Sequence, residues 1–297
     1  MEHGIYQKMI TYHKKNIIIL LLLLCAISLY GIVYNANQDK KSAEHLIELG
    51  KNNPEFLKLH PEVGDENYTL DKTDSLNFAF RVLYSDPLKS FAYLIIFIII
   101  FFSTRHFYNI IKTGMLKDMV LRESYWNVLN KQIYGSYIYS FIPIIFMIIL
   151  ILMSCVYHFD LDFLSTCKNE YLCYIPHLSI GFVLSLIYNL IVISLYYINV
   201  SIIMFKHSKN FVLNIITSFL VILGIELFMQ CVIGPILAST TGDVGFGNLF
   251  SSANLWYYDS VSYLQTICYT TSSFLISFLI MKKQFKNKEK VYTLNAK

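Results

Sequence analysis

Charge is scarce in this sequence. Only 15% of its 297 residues are Asp, Glu, Lys or Arg, against about 25% in a typical soluble chain. Hydrophobic residues make up 55% and the mean hydropathy is +0.49. That leaves more apolar surface than one water-facing globule can hide. A cytosolic enzyme, a nucleic-acid binder and a disordered chain are excluded on these grounds. The signatures of common catalytic sites are missing as well: no Gly-x-x-x-x-Gly-Lys-Ser/Thr, no His-Glu-x-x-His and no Gly-x-Ser-x-Gly occurs. The eight His are scattered, and none lies deep in an apolar run. No catalytic residue and no metal site is expected, and the chain does not read as an enzyme.

What the sequence does hold is long apolar runs of the length that a hydrocarbon core of about 30 Å demands. Six are found, at residues 17–34, 87–104, 137–157, 175–205, 211–237 and 261–281. Lys89 sits near the outer end of the second, where its side chain can snorkel to the interface. The fourth is longer than a span requires and has to tilt, bend or protrude. The expected fold is all-α: a polytopic membrane protein with six transmembrane helices and a large outside loop between helices one and two.

Orientation follows from where Lys and Arg sit. The N-terminal segment, residues 105–136, the turn at 206–209 and the tail at 282–297 hold sixteen of the 24 basic residues. With six spans, these four segments share one side. Residues 35–86 carry six basic and ten acidic side chains, and residues 238–260 carry two acidic and no basic ones. Both termini are therefore expected in the cytoplasm of a multi-pass cell-membrane protein. The richness in Ile, Asn, Lys and Tyr suits an AT-rich bacterial genome, and the expected location is the bacterial plasma membrane.

Outside the spans, residues 1–16 read as a cytoplasmic interfacial helix, with Ile5, Met9 and Tyr12 on one broad face; a plain basic flank is the alternative. In the outside loop at 35–86, residues 43–49 look helical and Asn52-Asn53-Pro54 marks a turn. Leu76, Phe78, Phe80, Val82 and Tyr84 alternate in the manner of a half-buried strand, although a helix also fits. The loop serves either as a cap that touches substrate or a partner, or as an elaborate connector. Residues 238–260, with Gly242, Gly245 and Gly247 among apolar neighbours, could dip back against the protein. Tyr137, Tyr139, Tyr196 and Tyr197 read as part of an interfacial aromatic belt rather than as a cage for a cation.

Cys167 and Cys173 share a short outside loop and are either a disulfide or two free thiols. Cys25, Cys155, Cys231 and Cys268 lie within spans as small apolar fillers. Glu226 stands well inside the fifth span, with Gln230 one turn later. An ionisable group at that depth points to a pathway or proton site, or to a protonated side chain bonded within the bundle. Asn189, Asn199 and residues 270–273 read as polar glue between helices, and Pro143 and Pro235 as places where spans start or bend.

The soluble segment at 105–136 carries Tyr108, Ile111, Met115, Met119 and Trp126 on one helical stripe, with Lys117 elsewhere on the wheel. Gly114 interrupts or bends that helix, and Arg122, Glu123 and Lys131 follow. It reads as a helix resting on the membrane or as a coupling lever gripped by another protein. With its inner amphipathic start, outside loop, cytoplasmic segment, three close spans and basic tail, the layout resembles the permease subunits of type-two ATP-binding-cassette (ABC) exporters. Within that layout, the residues 111–125 and Lys131 carry the resemblance: Arg122 and Lys131 look like the family's basic positions, while Val120 stands where Gly is usual.

The resemblance implies two such permease subunits, identical or different, facing each other across a pathway. Each is gripped by a separate ABC ATPase that holds the ATP and Mg, so this chain binds no cofactor itself. The ATPase-coupling surface would comprise Lys112, Met115, Lys117, Met119, Arg122, Glu123 and Trp126. The exported substrate would be a peptide, antibiotic or lipid, with resistance to an antimicrobial peptide as the physiological role. The other readings of the sequence are a proton-coupled secondary transporter using Glu226 and a non-transporting membrane sensor or scaffold. The expected partners are thus the ATPase, a second permease subunit and membrane lipid, with no nucleic acid.

Overall fold

The computed structural model describes residues 2–64, 75–84, 86–112, 124–158, 180–205, 207, 210–243, 249–250 and 263–286. Among them every regular element is a helix and no strand occurs. Five stretches are long and apolar enough to cross a bilayer: Ile17–Asn52, Tyr125–Tyr157, Val183–Met204, Phe211–Thr241 and Leu264–Phe285. A shorter apolar stretch, Tyr93–Arg105, lies within a longer helix. The surface is inverted relative to a soluble protein. Leu22, Leu152, Leu220 and Leu279 are each more than half exposed, whereas Asn189, Asn199, Ser194 and Thr270 are fully buried. Lipid tolerates the first and forces the second. The chain is an all-α polytopic membrane protein.

Two compact units divide it, residues 1–89 with 146–177, and residues 90–145 with 178–297. The first unit is built on α1 (Glu2–Asn52), a single helix of 51 residues. At 1.5 Å per residue it is about 75 Å long. Residues 2–16, expected as an interfacial helix, run into the first span without a break, and so do residues 35–52 beyond it. The chain turns at Asn53-Pro54. Asn53 Oδ1 accepts the N–H groups of Glu55 at 3.1 Å and Phe56 at 3.2 Å, and Pro54 opens α2 (Pro54–Leu59), where its missing N–H costs nothing. Gly50 lies close under the returning chain. A Cβ on it would stand 3.2 Å from Leu57 Cδ1 and 3.4 Å from Val63 Cγ1.

The strand considered for residues 76–84 is a helix, α3 (Ser75–Tyr84). Counting Phe78, Phe80 and Val82 alone gives a period of two. Ala79 and Leu83 are buried too, and the pairs 78/82 and 79/83 have the i, i+4 spacing of one helical face. Arg81 pairs with Asp39 of α1 and lies over the Phe78 ring, 5.0 Å from its centroid. Phe78 in turn stacks on Tyr157 at 5.4 Å.

The second unit contains most of α4 (Asp86–Lys112), all of α5 (Tyr125–Tyr137), and α7 (Ile180–Met204), α8 (Phe211–Phe228), α9 (Gly234–Thr241) and α10 (Tyr263–Phe285). A 3-10 turn at Ile138–Phe141 joins α5 to α6 (Ile142–His158), which begins with Pro143 near its start. At the centre stands α7, with polar side chains on several sides of it. Thr270 Oγ1 of α10 donates to Asn189 Oδ1 at 2.8 Å. The hydroxyls of Tyr188 and Thr271 share a bond of 2.8 Å. Asn199 donates to Ser277 Oγ at 3.0 Å and accepts from the Tyr137 hydroxyl at 2.7 Å. On another side, Asn214 of α8 donates to the Ser201 carbonyl at 3.2 Å and to Thr104 of α4 at 3.5 Å. Each such interhelical bond contributes about 0.6 kcal/mol and at most roughly 1.7 kcal/mol in a membrane bundle.

Two sequence readings need correction here. Tyr137, Tyr139, Tyr196 and Tyr197 are not an interfacial belt: Tyr139, Tyr196 and Tyr197 are buried, and Tyr137 bonds inward to Asn199. A tyrosine near the end of a run is as well placed to bond a buried partner as to reach headgroups. Of the four span cysteines only Cys155 fills the interior; Cys25, Cys231 and Cys268 are exposed on helix surfaces.

Asn199→Leu should therefore lower the stability of the purified chain by about 1 kcal/mol, since it removes two bonds at once. Tyr137→Phe should cost about half as much. Unfolding titrations in mixed dodecylsulfate micelles measure both; equal midpoints for wild type and Asn199→Leu would contradict the role given to α7.

Candidate functional site

Two places in the second unit gather the sequence's functional candidates. The first is the end where α4, α5, α7, α8 and α10 meet. Met115, Lys117, Met119, Arg122 and Glu123 lie outside the described residues, as does Gly114. Lys112 is the last residue of α4. Ser124 adopts an extended backbone (φ −62°, ψ 141°), and its hydroxyl accepts the Asn127 N–H at 3.4 Å. It therefore caps a new helix, α5, that starts at Tyr125. The expected single stripe from Tyr108 to Trp126 is thus corrected. Tyr108 belongs to α4 and Trp126 to α5, so they do not share one helix.

Trp126 is half-buried and meets Tyr125 edge-on at 5.6 Å. Tyr125 is buried, and its hydroxyl donates to the Phe285 carbonyl at the end of α10, at 3.2 Å. Phe107 of α4 packs edge-on against Phe205, which follows α7, at 5.7 Å, and against Phe285 at 5.9 Å. Tyr108 contacts Phe205 at 5.9 Å and Phe211, the first residue of α8, at 5.6 Å. Five helix ends are thereby held in one aromatic knot. Edge-to-face pairs of this kind contribute about 0.5–1.5 kcal/mol each beyond their buried area. Basic side chains occupy the same helix ends: Arg105 of α4 lies 5.9 Å from the Phe101 ring centroid and Lys282 of α10 4.6 Å from that of Phe278, and Lys283 and Lys286 are exposed. Sequence reasoning did not identify the knot. Its signal was a set of aromatics at run ends, each within a few residues of a basic residue.

The second place is Glu226, 4% exposed in α8. Tyr197 of α7, itself buried, donates its hydroxyl to Glu226 Oε1 at 3.4 Å. Tyr196 packs against Tyr197, with ring centroids 5.4 Å apart. Tyr269 of α10 packs on Leu249 and Phe250, which also cover Met229, three residues past Glu226. Immediately after α8, residues Met229–Ile233 form a π-helical turn that contains Gln230, half-buried. Gly234-Pro235 follow it directly. Proline supplies no N–H and its ring collides with the carbonyl four residues back, so a mid-span helix relieves the clash by widening a turn. Such turns recur at functional sites.

Span five then ends at Gly242, whose φ of +75° closes the helix in the left-handed conformation. Gln265 of α10 donates to Asp243 at 2.9 Å. Leu249 and Phe250 fold back onto Met229, Ile233, Leu237 and Tyr269, and Phe250 meets the Tyr269 ring edge-on at 5.1 Å. The part of the 238–260 segment that is described does pack against the bundle. Cys167 and Cys173 lie outside the described residues.

No protein-family model, curated protein or solved structure matches the chain.

If Pro235 causes the widened turn, Pro235→Ala should return residues 229–235 to α-helical bonding. Amide hydrogen exchange over this stretch should slow about fivefold, the effect of one further hydrogen bond of about 1 kcal/mol. Mass-spectrometric exchange in detergent measures it, and unchanged rates would assign the turn to another cause.

Proposed function

We propose that this chain is the membrane-spanning permease subunit of an ABC exporter, driven by ATP hydrolysed with Mg²⁺ on a separate ATPase subunit. The observation that carries the reading is the aromatic knot. Residues 113–123, the segment with the exporter-like basic pattern, run between α4 and α5, and both helices enter the knot through Phe107, Tyr108 and Tyr125. A partner that pushes on this segment pushes on five helix ends together. That is the mechanical requirement of a coupling surface, and Trp126, half-buried beside the knot, is a suitable anchor.

On this reading α4, 27 residues and about 40 Å long, supplies the remaining span, for six in all. The basic knot end faces the cytoplasm of a bacterial plasma membrane together with both chain termini. The outer part of α1, α2 and α3 then belong to the outside. Two permease subunits, identical or different, enclose the pathway. A peptide, antibiotic or lipid is the cargo, and protection against an antimicrobial peptide is the role. The second reading, a proton-coupled transporter, is favoured by one observation: Glu226 is buried one turn before a π-helical turn.

The test is affinity purification of the tagged chain from native host membranes in mild detergent. Wild type should bring down an ATPase with a nucleotide-binding loop. Arg122→Glu and Trp126→Ala should each reduce its recovery about tenfold or more, the effect of losing an interface anchor. If no ATPase accompanies the wild type, the exporter reading fails, and loss of proton-dependent transport in Glu226→Gln would establish the second.

A further inference from the structure

The bundle satisfies its buried polar groups in two different ways. Along α7 the partners of the amides are neutral: Asn189 meets Thr270 and Ser185, and Asn199 meets Ser277 and the Tyr137 hydroxyl. Around Glu226 the company changes. The carboxyl group takes a hydroxyl from Tyr197, Tyr196 packs on Tyr197, and Tyr269 closes in from α10 with Phe250 against its ring. Three helices and one returning segment contribute an acid and four aromatic rings to one small region.

Those two residue types prefer the same guest. A carboxylate attracts positive charge, and in a low-dielectric surrounding it does so far more strongly than in water. An aromatic ring attracts positive charge to its negative face, with Tyr among the effective rings. The Tyr197 hydroxyl also solvates the acid while the guest is away, which lowers the cost of holding it at membrane depth. The π-helical turn at Met229–Ile233 widens the α8 backbone just past the acid, and Leu249 and Phe250 cover that turn.

We infer that Glu226, Tyr196, Tyr197 and Tyr269 form a subsite for the ammonium group of an organic cation. The inference deepens the transport reading, because it assigns the chemical class of the cargo: a molecule that presents a cationic amine to the interior of the bundle. Glu226 supplies the counter-charge, the tyrosines supply ring faces and hydroxyls, and Phe250 holds Tyr269 in place.

The test uses the full-length chain in nanodiscs of zwitterionic lipid, with radiolabelled dodecyltrimethylammonium as the probe and empty discs as the background. Wild type should show saturable binding at one site per chain that unlabelled probe displaces and neutral dodecanol does not. Glu226→Gln should weaken it about tenfold or more, and Tyr269→Leu several-fold, in line with loss of a desolvated cation contact. Glu226→Asp should stay within about threefold of wild type, because it keeps the charge; its binding, with equal thermal midpoints for the three variants, separates loss of the site from loss of the fold. An absent saturable component in wild type, undiminished binding by Glu226→Gln, or equal competition by dodecanol would each overturn the subsite.

Neither ATP nor the ATPase is needed for this measurement. Wild type that retains its ATPase but does not bind the probe refutes the subsite and leaves the exporter reading intact. Wild type that binds the probe in a Glu226-dependent way but retains no ATPase supports the subsite and refutes the exporter.

Discussion

Lipid offers no hydrogen bonds, and the arrangement of the second unit follows from that constraint. A polar side chain carried into the hydrocarbon bonds either its own helix or a neighbour, and a helix rich in amides that reach outward dictates where the others stand. Here that helix is α7. Its Asn189, Asn199 and Ser201 are satisfied by α10, α5, α4 and α8, and leucine and isoleucine are left to face outward. Each bond is weak, but the directions are not interchangeable. Rotating α10 by one residue would place Thr270 and Ser277 away from both asparagines at once.

Against this fixed centre, two regions differ in kind. The aromatic knot is stiff: rings from several helix ends interlock, and a buried tyrosine bonds a helix-terminal carbonyl. The stretch after Glu226 is the opposite. A π-helical turn, a proline and a left-handed glycine follow within fourteen residues. The first region suits the transmission of force. The second suits a change of shape, because its backbone already departs from the α-helical ladder.

Much of this was legible in the sequence, for identifiable reasons. Apolar runs with charged flanks state helical spans outright, since only a helix or a closed barrel can carry backbone through lipid. Asn189 and Asn199 announced interhelical bonds by being polar where nothing polar is free to remain unbonded. Pro235 announced a disturbance, although not its form, because a clash with the preceding turn can be relieved by a kink or by a wider turn. Other features were left open or misread. Alternating large residues at 76–84 fitted a strand as well as a helix, and the burial of Ala79 and Leu83 decides for the helix. Across 108–126 Gly114 marked an interruption, but the capping role of Ser124, which opens a new helix, went unnoticed. Tyr197 was read as facing headgroups, since its partner, Glu226, lies 29 residues away in sequence. Residues 113–123 and the Cys167/Cys173 pair lie beyond what the structure describes.

The length of α1 has a mechanical consequence. From Ile17 to Asn52 the helix spans 36 residues, about 54 Å, against a hydrocarbon core of about 30 Å. About 24 Å of it therefore stands beyond the lipid as a lever. A tilt of about 10° carries the Asn52 end of that lever through roughly 4 Å, and Gly50 and α2 travel with it.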